Sequence, residues 1–312
     1  MNRLTENKII IIKRRTRLEE LIVRYNTVAQ AKFYIEHLGA DFSDYILEDE
    51  NYKRVVKQAF ETLSSIGRVQ LVDREYVPNF IFGREDVVIV IGQDGLVANT
   101  LKYLENQSLI GVNPDPKRWE GVLLPFQVSD LKLVMLDVFN KKRSIKEVTM
   151  AKASLNDGQV IYGVNDLFIG QKTHSSARYQ LQQGSNKEQQ SSSGIIISTG
   201  LGSTGWLKSV LSGAYSIVNS VSQNKINNTR SERIDWSEEH LYYSVREPFP
   251  SRNSEANLVF GKISKYVPLK ILSSMPENGV IFSDGVENDF LEFNSGIQAT
   301  VTVAEKKGHL VI

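Results

Sequence analysis

Five consecutive β-branched apolar residues, Val87-Val88-Ile89-Val90-Ile91, stop at Gly92-Gln93-Asp94-Gly95, and a helical pattern begins at Leu96. A run without alternation suits a strand buried on both faces, and such a strand needs helices on either side of its sheet. Strand, glycine turn and helix in that order place backbone N–H groups beside a helix N-terminus. There Gly92 and Gly95, with Gln93 between them, let a phosphate come close to the main chain. Asp94 cannot attract that phosphate. It reads either as a general base or as a ligand for the magnesium that accompanies phosphates, with a capping residue in an ordinary turn as the plainer alternative.

The segments around this stretch repeat its logic. Lys8 to Lys13 is a short apolar strand, and Thr16-Arg-Leu-Glu19 is a capping box that opens a helix with Leu18, Leu21, Ile22 and Tyr25 on one face. Thr27-Val-Ala-Gln30 opens a second helix, which closes near Gly39. A third is expected from about Glu50 to Ser65, followed by strands at Val69 to Val72 and Leu109 to Val112. The last of these runs into Asn113-Pro114-Asp115-Pro116, where two prolines force a turn. Strands alternating with helices predict a parallel, doubly wound sheet, whose ligands sit beyond the carboxyl ends of its strands. The Gly92 and Asn113 turns both lie on that edge.

From Ile145 the pattern becomes two-residue alternation broken by turn signals at Asn156-Asp157-Gly158, at Gly184-Ser185-Asn186 and at the polar stretch Gln189 to Ser193. One helix, through Leu207, Val210, Leu211 and Ala214, interrupts these hairpins. Ser220 to Glu239 lacks a period and reads as a long surface loop, and strands resume near Leu241. The tail from Ile297 to Ile312 either finishes the β region or crosses back to the first. The fold class expected is an α/β N-terminal domain with a parallel doubly wound sheet plus a β-rich C-terminal domain. Residues 1–143, which 285–312 can complete, form the first, and 144–284 the second.

Charge and composition narrow the function. With 37 basic and 36 acidic residues, no net field favours nucleic acid or a membrane surface, so an anionic ligand must be held by local geometry. The absence of cysteine excludes disulfides and thiolate chemistry and fits a cytoplasmic protein. The longest apolar runs are too short for a membrane span. The four histidines show no spacing for a metal site or a nucleophile triad and are read as structural. Trp119 and Trp236 sit in polar loops and are read as exposed.

Three further clusters accompany Asp94. Asn165-Asp166 ends a strand with an amide beside a carboxylate, a pair that donates and accepts together to vicinal ribose hydroxyls or an adenine edge. Ser198-Thr199-Gly200-Leu201-Gly202-Ser203-Thr204-Gly205-Trp206 follows the buried strand Ile195 to Ile197 and crowds glycines and hydroxyls before a helix, where Trp206 either stacks on a planar base or anchors the helix. Ser283-Asp284-Gly285 is a strand-end carboxylate best explained as a hairpin turn.

In this order, Gly92-Gln-Asp-Gly95, Gly111-Val-Asn-Pro-Asp-Pro116 leading to Gly121-Val-Leu-Leu124, Asn165-Asp166 and Gly202-Ser-Thr-Gly-Trp206 resemble the ATP-NAD kinase family. The Asn113 turn and Ser244-Val-Arg-Glu-Pro248 look most like the mitochondrial-type NAD kinase and its bacterial relatives. The resemblance covers roughly residues 85 to 312. Against the family pattern, Gln93 replaces a glycine, Leu96 a threonine, Asp166 a glutamate, and Gly205-Trp206 an alanine-tyrosine pair.

The resemblance implies two domains with the site in the cleft between them, and a homo-oligomer, dimer or tetramer. It implies transfer of a phosphoryl group from ATP to the 2′-hydroxyl of the adenosine ribose of NAD or NADH, with magnesium. Asp94 is then the catalytic carboxylate. Gly92, Gln93, Gly95, Asn113, Asn165, Asp166, Ser203, Thr204 and Trp206 are the expected nucleotide-binding residues, and no dedicated metal ligand is expected from the protein. A related lipid or sugar kinase and a non-catalytic nucleotide sensor are the alternatives.

Overall fold

The computed structural model describes residues 5–222 and 234–312. The chain divides into two units, Met1–Lys146 with Gly308–Ile312, and Glu147–Lys307. In the first, β1 (Lys8–Lys13) leads through α1 (Arg17–Tyr25), α2 (Val28–His37) and α3 (Ser43–Ser64) to β2 (Arg68–Asp73). Then follow β3 (Val87–Ile91), α4 (Asp94–Leu101), β4 (Ser108–Val112) and α5 (Leu131–Phe139). The strands lie parallel in the order β2-β1-β3-β4. Residues His309 and Leu310 extend the sheet parallel to Ser108 and Leu109. Ile9, Ile11, Ile89, Ile91 and Val311 pack with Tyr52, Val55, Ala59 and Leu63 of α3 and with Val134 and Met135 of α5. All five β3 residues are buried, as their unbroken apolar run requires.

Two entries to helices follow the sequence closely. Thr16 and Glu19 form the full reciprocal box, whereas at Thr27 only the hydroxyl to Gln30 N–H half is made, at 3.1 Å. The third helix starts earlier than its apolar spacing predicts, at Ser43 instead of near Glu50. Its first turns bury Glu48 and Asp49, which the period treats as solvent-facing. They are tolerated because Glu48 binds Arg14 at 2.6 Å and Asp49 accepts from the Thr16 hydroxyl at 2.6 Å.

Tyr52 of α3 donates to Ile91 O at 2.7 Å and accepts from Arg14 N–H at 2.9 Å, tying the ends of β3 and β1 together just before the Gly92 turn. Burial pushes its phenol up to about 12. Tyr52→Phe removes both bonds at once and is expected to cost about 1–3 kcal/mol, read as a lower denaturation midpoint without loss of secondary structure.

The second unit is a sandwich of antiparallel sheets. Its strands are β5 (Ile145–Leu155), β6 (Val160–Gly163), β7 (Asp166–Gln171), β8 (Ala177–Gln183), β9 (Asn186–Ser192) and β10 (Ile195–Ser198), with α6 (Trp206–Val221) next. β11 (His240–Val245), β12 (Phe260–Ser264), β13 (Leu269–Ser273), β14 (Gly279–Ser283), β15 (Val286–Glu292) and β16 (Gln298–Val311) complete it. One sheet runs β12-β11-β10-β7-β14-β15. Its alternate residues Leu167, Ile169, Ile195, Ile197, Leu241 and Tyr243 pack on Tyr179, Leu181, Leu269, Ile271 and Val301 from the strands β8, β13 and β16.

Three expectations change here. Gln189 to Ser193 is not a turn: all but its last residue belong to β9, where Glu188, Gln190 and Ser192 alternate inward. Of the loop expected at Ser220 to Glu239, the start belongs to α6, residues 223–233 lie outside the described residues, and Trp236 is buried, not exposed. Its carbonyl accepts from Thr149 N–H at 2.8 Å, which fixes the segment against β5. The tail does both things asked of it, since Gln298 to Val301 pair with β13 and residues 308–312 belong to the first unit. Among the described residues no helix is long and apolar enough to cross a membrane.

Candidate active site

In the first unit, Asp94 is the opening residue of α4, and Gln93 caps it in an extended conformation, φ −96° and ψ 163°. Such a backbone suits any residue, so glutamine at this point needs no strain. Gly92 N–H donates to Val112 O at 3.3 Å, locking the turn to the end of β4. One Asp94 oxygen, Oδ1, accepts from Leu123 N–H at 2.7 Å, and its other oxygen has no partner among the described residues. A Cβ on Gly95 would meet nothing within 4 Å. The helix start is thus open on that side, with unbonded backbone donors and one oriented carboxylate.

The residue that orients Asp94 lies within the Gly121-Val-Leu-Leu124 segment, where its side chain announces no such role. Leu123 contributes only backbone, and the signal for it is Gly111: a Cβ there would lie 2.0 Å from Leu123 O. Asn113 fixes the same loop, donating to Trp119 O at 2.9 Å and accepting from Asp115 N–H at 3.0 Å. It is buried, so its amide serves the loop that carries Leu123. Arg118, clamped between Asp44 and Asp115, ties that loop to α3.

In the second unit, the loop joining β6 to β7 is held by a carboxylate from far along the chain. Asp284 accepts from the N–H groups of Val164 at 3.0 Å, Asn165 at 2.6 Å and Asp166 at 3.3 Å. The sequence reading of Asp284-Gly285 as a hairpin turn is correct in conformation: both residues have positive φ, 54° and 71°, and link Ser283 directly to Val286. The turn also aims the carboxylate, a second role that its sequence does not announce.

The glycine-hydroxyl segment folds onto the same loop. Thr199 donates to Val164 O at 2.6 Å and accepts from Gly202 N–H at 3.1 Å. A Cβ on Gly202 would fall 2.0 Å from Asn165 O, so this glycine admits the chain's own backbone. Ser203 spends its hydroxyl on Gly200 O at 2.6 Å, while Thr204 is exposed with no side-chain partner among the described residues. These contacts bring Asn165, Asp166, Ser203 and Thr204 to one corner of the unit. The side chains of Asn165 and Asp166 have no hydrogen-bond partner among the described residues.

Asp166 is half-buried, and its carboxyl is pushed up to about 7, first by desolvation and then by the charge of Asp284. The native state therefore keeps a proton there that the unfolded chain releases near its ordinary value of 3.8. Native stability consequently falls as pH rises from about 4 to 7. Asp166→Asn removes this dependence, so the variant should gain stability relative to the parent across that window, measured by melting at stepped pH.

Trp206 stacks on Phe168, with ring centroids 5.8 Å apart and planes at 14°, and the Arg246 guanidinium lies 5.5 Å from its ring centre. With Phe282, Lys172 and His174 they line a cavity of about 290 Å³ in this unit. The indole opens α6 and lines a cavity with aromatic walls, whose charged lining is Lys172, Arg246 and Glu287. Arg246 belongs to the Ser244-Val-Arg-Glu-Pro248 segment, whereas Phe168 does not stand out in the sequence, although Gly170 and Gly194, whose added Cβ atoms would both lie 2.7 Å from the Phe168 ring, mark the place where a large ring is seated. No group of three or more metal-binding side chains occurs among the described residues.

Two solved structures share this architecture. An NAD kinase from Archaeoglobus fulgidus in complex with ATP matches 98% of this chain and 93% of its own, with a TM-score of 0.58 and 14% identity. Yeast NADH kinase complexed with NADH matches 98% of this chain and 84% of its own, again with a TM-score of 0.58 and 14% identity. No family model matches the chain, and no curated protein matches it. The likeness is one of fold, and the chain has the fold of the NAD kinases.

Proposed function

We propose that this chain is an NAD kinase-like phosphotransferase that moves the γ-phosphoryl group of ATP to the 2′-hydroxyl of the adenosine ribose of NAD or NADH, giving NADP(H) and ADP. The observation that carries the reading is Asp94, a carboxylate fixed by Leu123 N–H at 2.7 Å with its second oxygen free, on the open first turn of α4. In the proposed reaction Asp94 takes the 2′-hydroxyl proton while the ribose oxygen forms its bond to the γ-phosphorus and the bond to the β,γ-bridging oxygen breaks. Asn165 and Asp166 hold the dinucleotide through their unpartnered polar atoms, and Gly92, Gln93 and Gly95 let phosphate approach the main chain. In the second unit Thr204 and Trp206 border the dinucleotide and Ser203 keeps their loop in place, while in the first Asn113 holds the loop that carries Leu123.

Magnesium fits this donor set. It keeps several waters and binds substrate phosphates, so it would arrive with the ATP and need no protein cage, leaving the free oxygen of Asp94 for the ribose proton. When bound, the ion neutralises charge on the phosphate oxygens. The same reading carries a cytoplasmic homo-oligomer, dimer or tetramer, which light scattering of the pure chain measures.

The deciding experiment incubates pure protein with magnesium, ATP or polyphosphate, and NAD or NADH, and looks for NADP(H) by mass spectrometry. Product from a sugar or a sphingoid base in place of the dinucleotide overturns the assignment. Dinucleotide binding with no turnover identifies a sensor.

A further inference from the structure

The strand end before Asp94 and the N–H that orients it are both gripped from α3. On one side, Tyr52 holds Ile91 O and takes the Arg14 N–H, while the Arg14 guanidinium lies 4.9 Å from the Tyr52 ring centre and binds Glu48. On the other, Arg118 binds Asp44, in the first turn of α3, through both of its terminal nitrogens. Arg17 joins the two halves. Its guanidinium reaches Asp44 at 2.7 Å, and its backbone N–H donates to Glu48 at 3.2 Å. Charge thus alternates from Arg14 through Glu48, Arg17 and Asp44 to Arg118, with each acid between two cations.

This alternation sets Arg118 apart from an ordinary surface pair. An isolated exposed pair contributes little, whereas a bidentate guanidinium–carboxylate contact inside a network is the exception. Arg118 is only 24% exposed, and the two guanidinia, its own first and then that of Arg17, hold the Asp44 carboxyl well below the usual carboxylate range.

What Arg118 carries is a tight turn. Its own N–H and that of Trp119 both return to Asp115 O at 3.0 Å, and Trp119 O accepts from Asn113. Asn51 holds the start of this loop at Pro114 O, and the Arg118 clamp holds its far turn. Four residues beyond Trp119, Leu123 N–H meets Asp94, its one acceptor among the described residues.

We propose that Arg118 is a positioning residue: anchored by Asp44 and Arg17, it holds Leu123 N–H against Asp94 and so aims the carboxylate. The consequence for turnover rests on the kinase reading above, and the effect on Leu123 does not.

The test is amide hydrogen exchange by NMR on the full chain, the parent against Arg118→Gln and Arg118→Lys, with NADP formation measured on the same samples. Exchange at Leu123 should quicken by about tenfold in Arg118→Gln, with Val88 and Val90 of β3 unchanged. The kcat should fall by about ten- to a hundredfold with the dinucleotide KM within about threefold of the parent. Arg118→Lys, a cation without the planar fork, should recover part of both. Unchanged exchange at Leu123 overturns the proposal, as does a raised KM at parental kcat, or exchange that quickens equally throughout β3. Should the parent form no NADP, the kinase reading falls, and the Leu123 exchange still decides whether Arg118 aims Asp94.

Discussion

Asp94→Asn is expected to lower the rate of NADP formation by about 10²–10⁴-fold, the usual contribution of a positioned general base, while leaving NAD affinity within about threefold of the parent. The amide is isosteric, and its oxygen can still accept from Leu123 N–H, so the turn and the start of α4 keep their geometry. What disappears is the ability to take the proton. Steady-state rates by coupled assay, set beside a direct binding isotherm, separate the two quantities. A variant that retains parental turnover removes Asp94 from the chemistry, and one that loses binding equally gives it a ligand-holding role instead.

Asp284→Ala has the largest effect expected on stability. The substitution strands three successive N–H groups, at Val164, Asn165 and Asp166, and puts alanine at a φ of 54° that an aspartate or asparagine tolerates better. A loss on the order of 3 kcal/mol or more follows from the unmade charge-assisted bonds, seen as an earlier denaturation of the second unit and as loss of dinucleotide binding. Asp284→Asn separates the causes. It keeps the turn and one acceptor oxygen, so it should cost only about 1 kcal/mol. With one of the two causes of the raised Asp166 pKa gone, the Asp166 titration should also move below about 7.

Local chemistry explains which parts were legible in the sequence. The β3–α4 unit could be read because a five-residue β-branched run and a glycine turn are contiguous, and the alternation after Ile145 announced a β-rich unit for the same reason. Asp284 reaches its three partners across 118 to 120 positions, a distance at which spacing carries no information. Leu123 acts through its backbone, which no side-chain pattern encodes. The early start of α3 was hidden because Glu48 and Asp49, buried by their pairing with Arg14 and Thr16, occupy places where a helical period expects apolar residues.

Residues 308–312 have a consequence for how the molecule is made. Val311 sits in the core of the first unit, and Leu310 lies parallel to Leu109, about two hundred positions earlier. The first unit therefore cannot complete its sheet until the residues of the second unit have been made, and until then β4 presents an unpaired edge. Nascent chains halted short of residue 308 should consequently be captured by holdase chaperones and cut readily by protease within their oldest segment, the one that had been outside the exit tunnel longest.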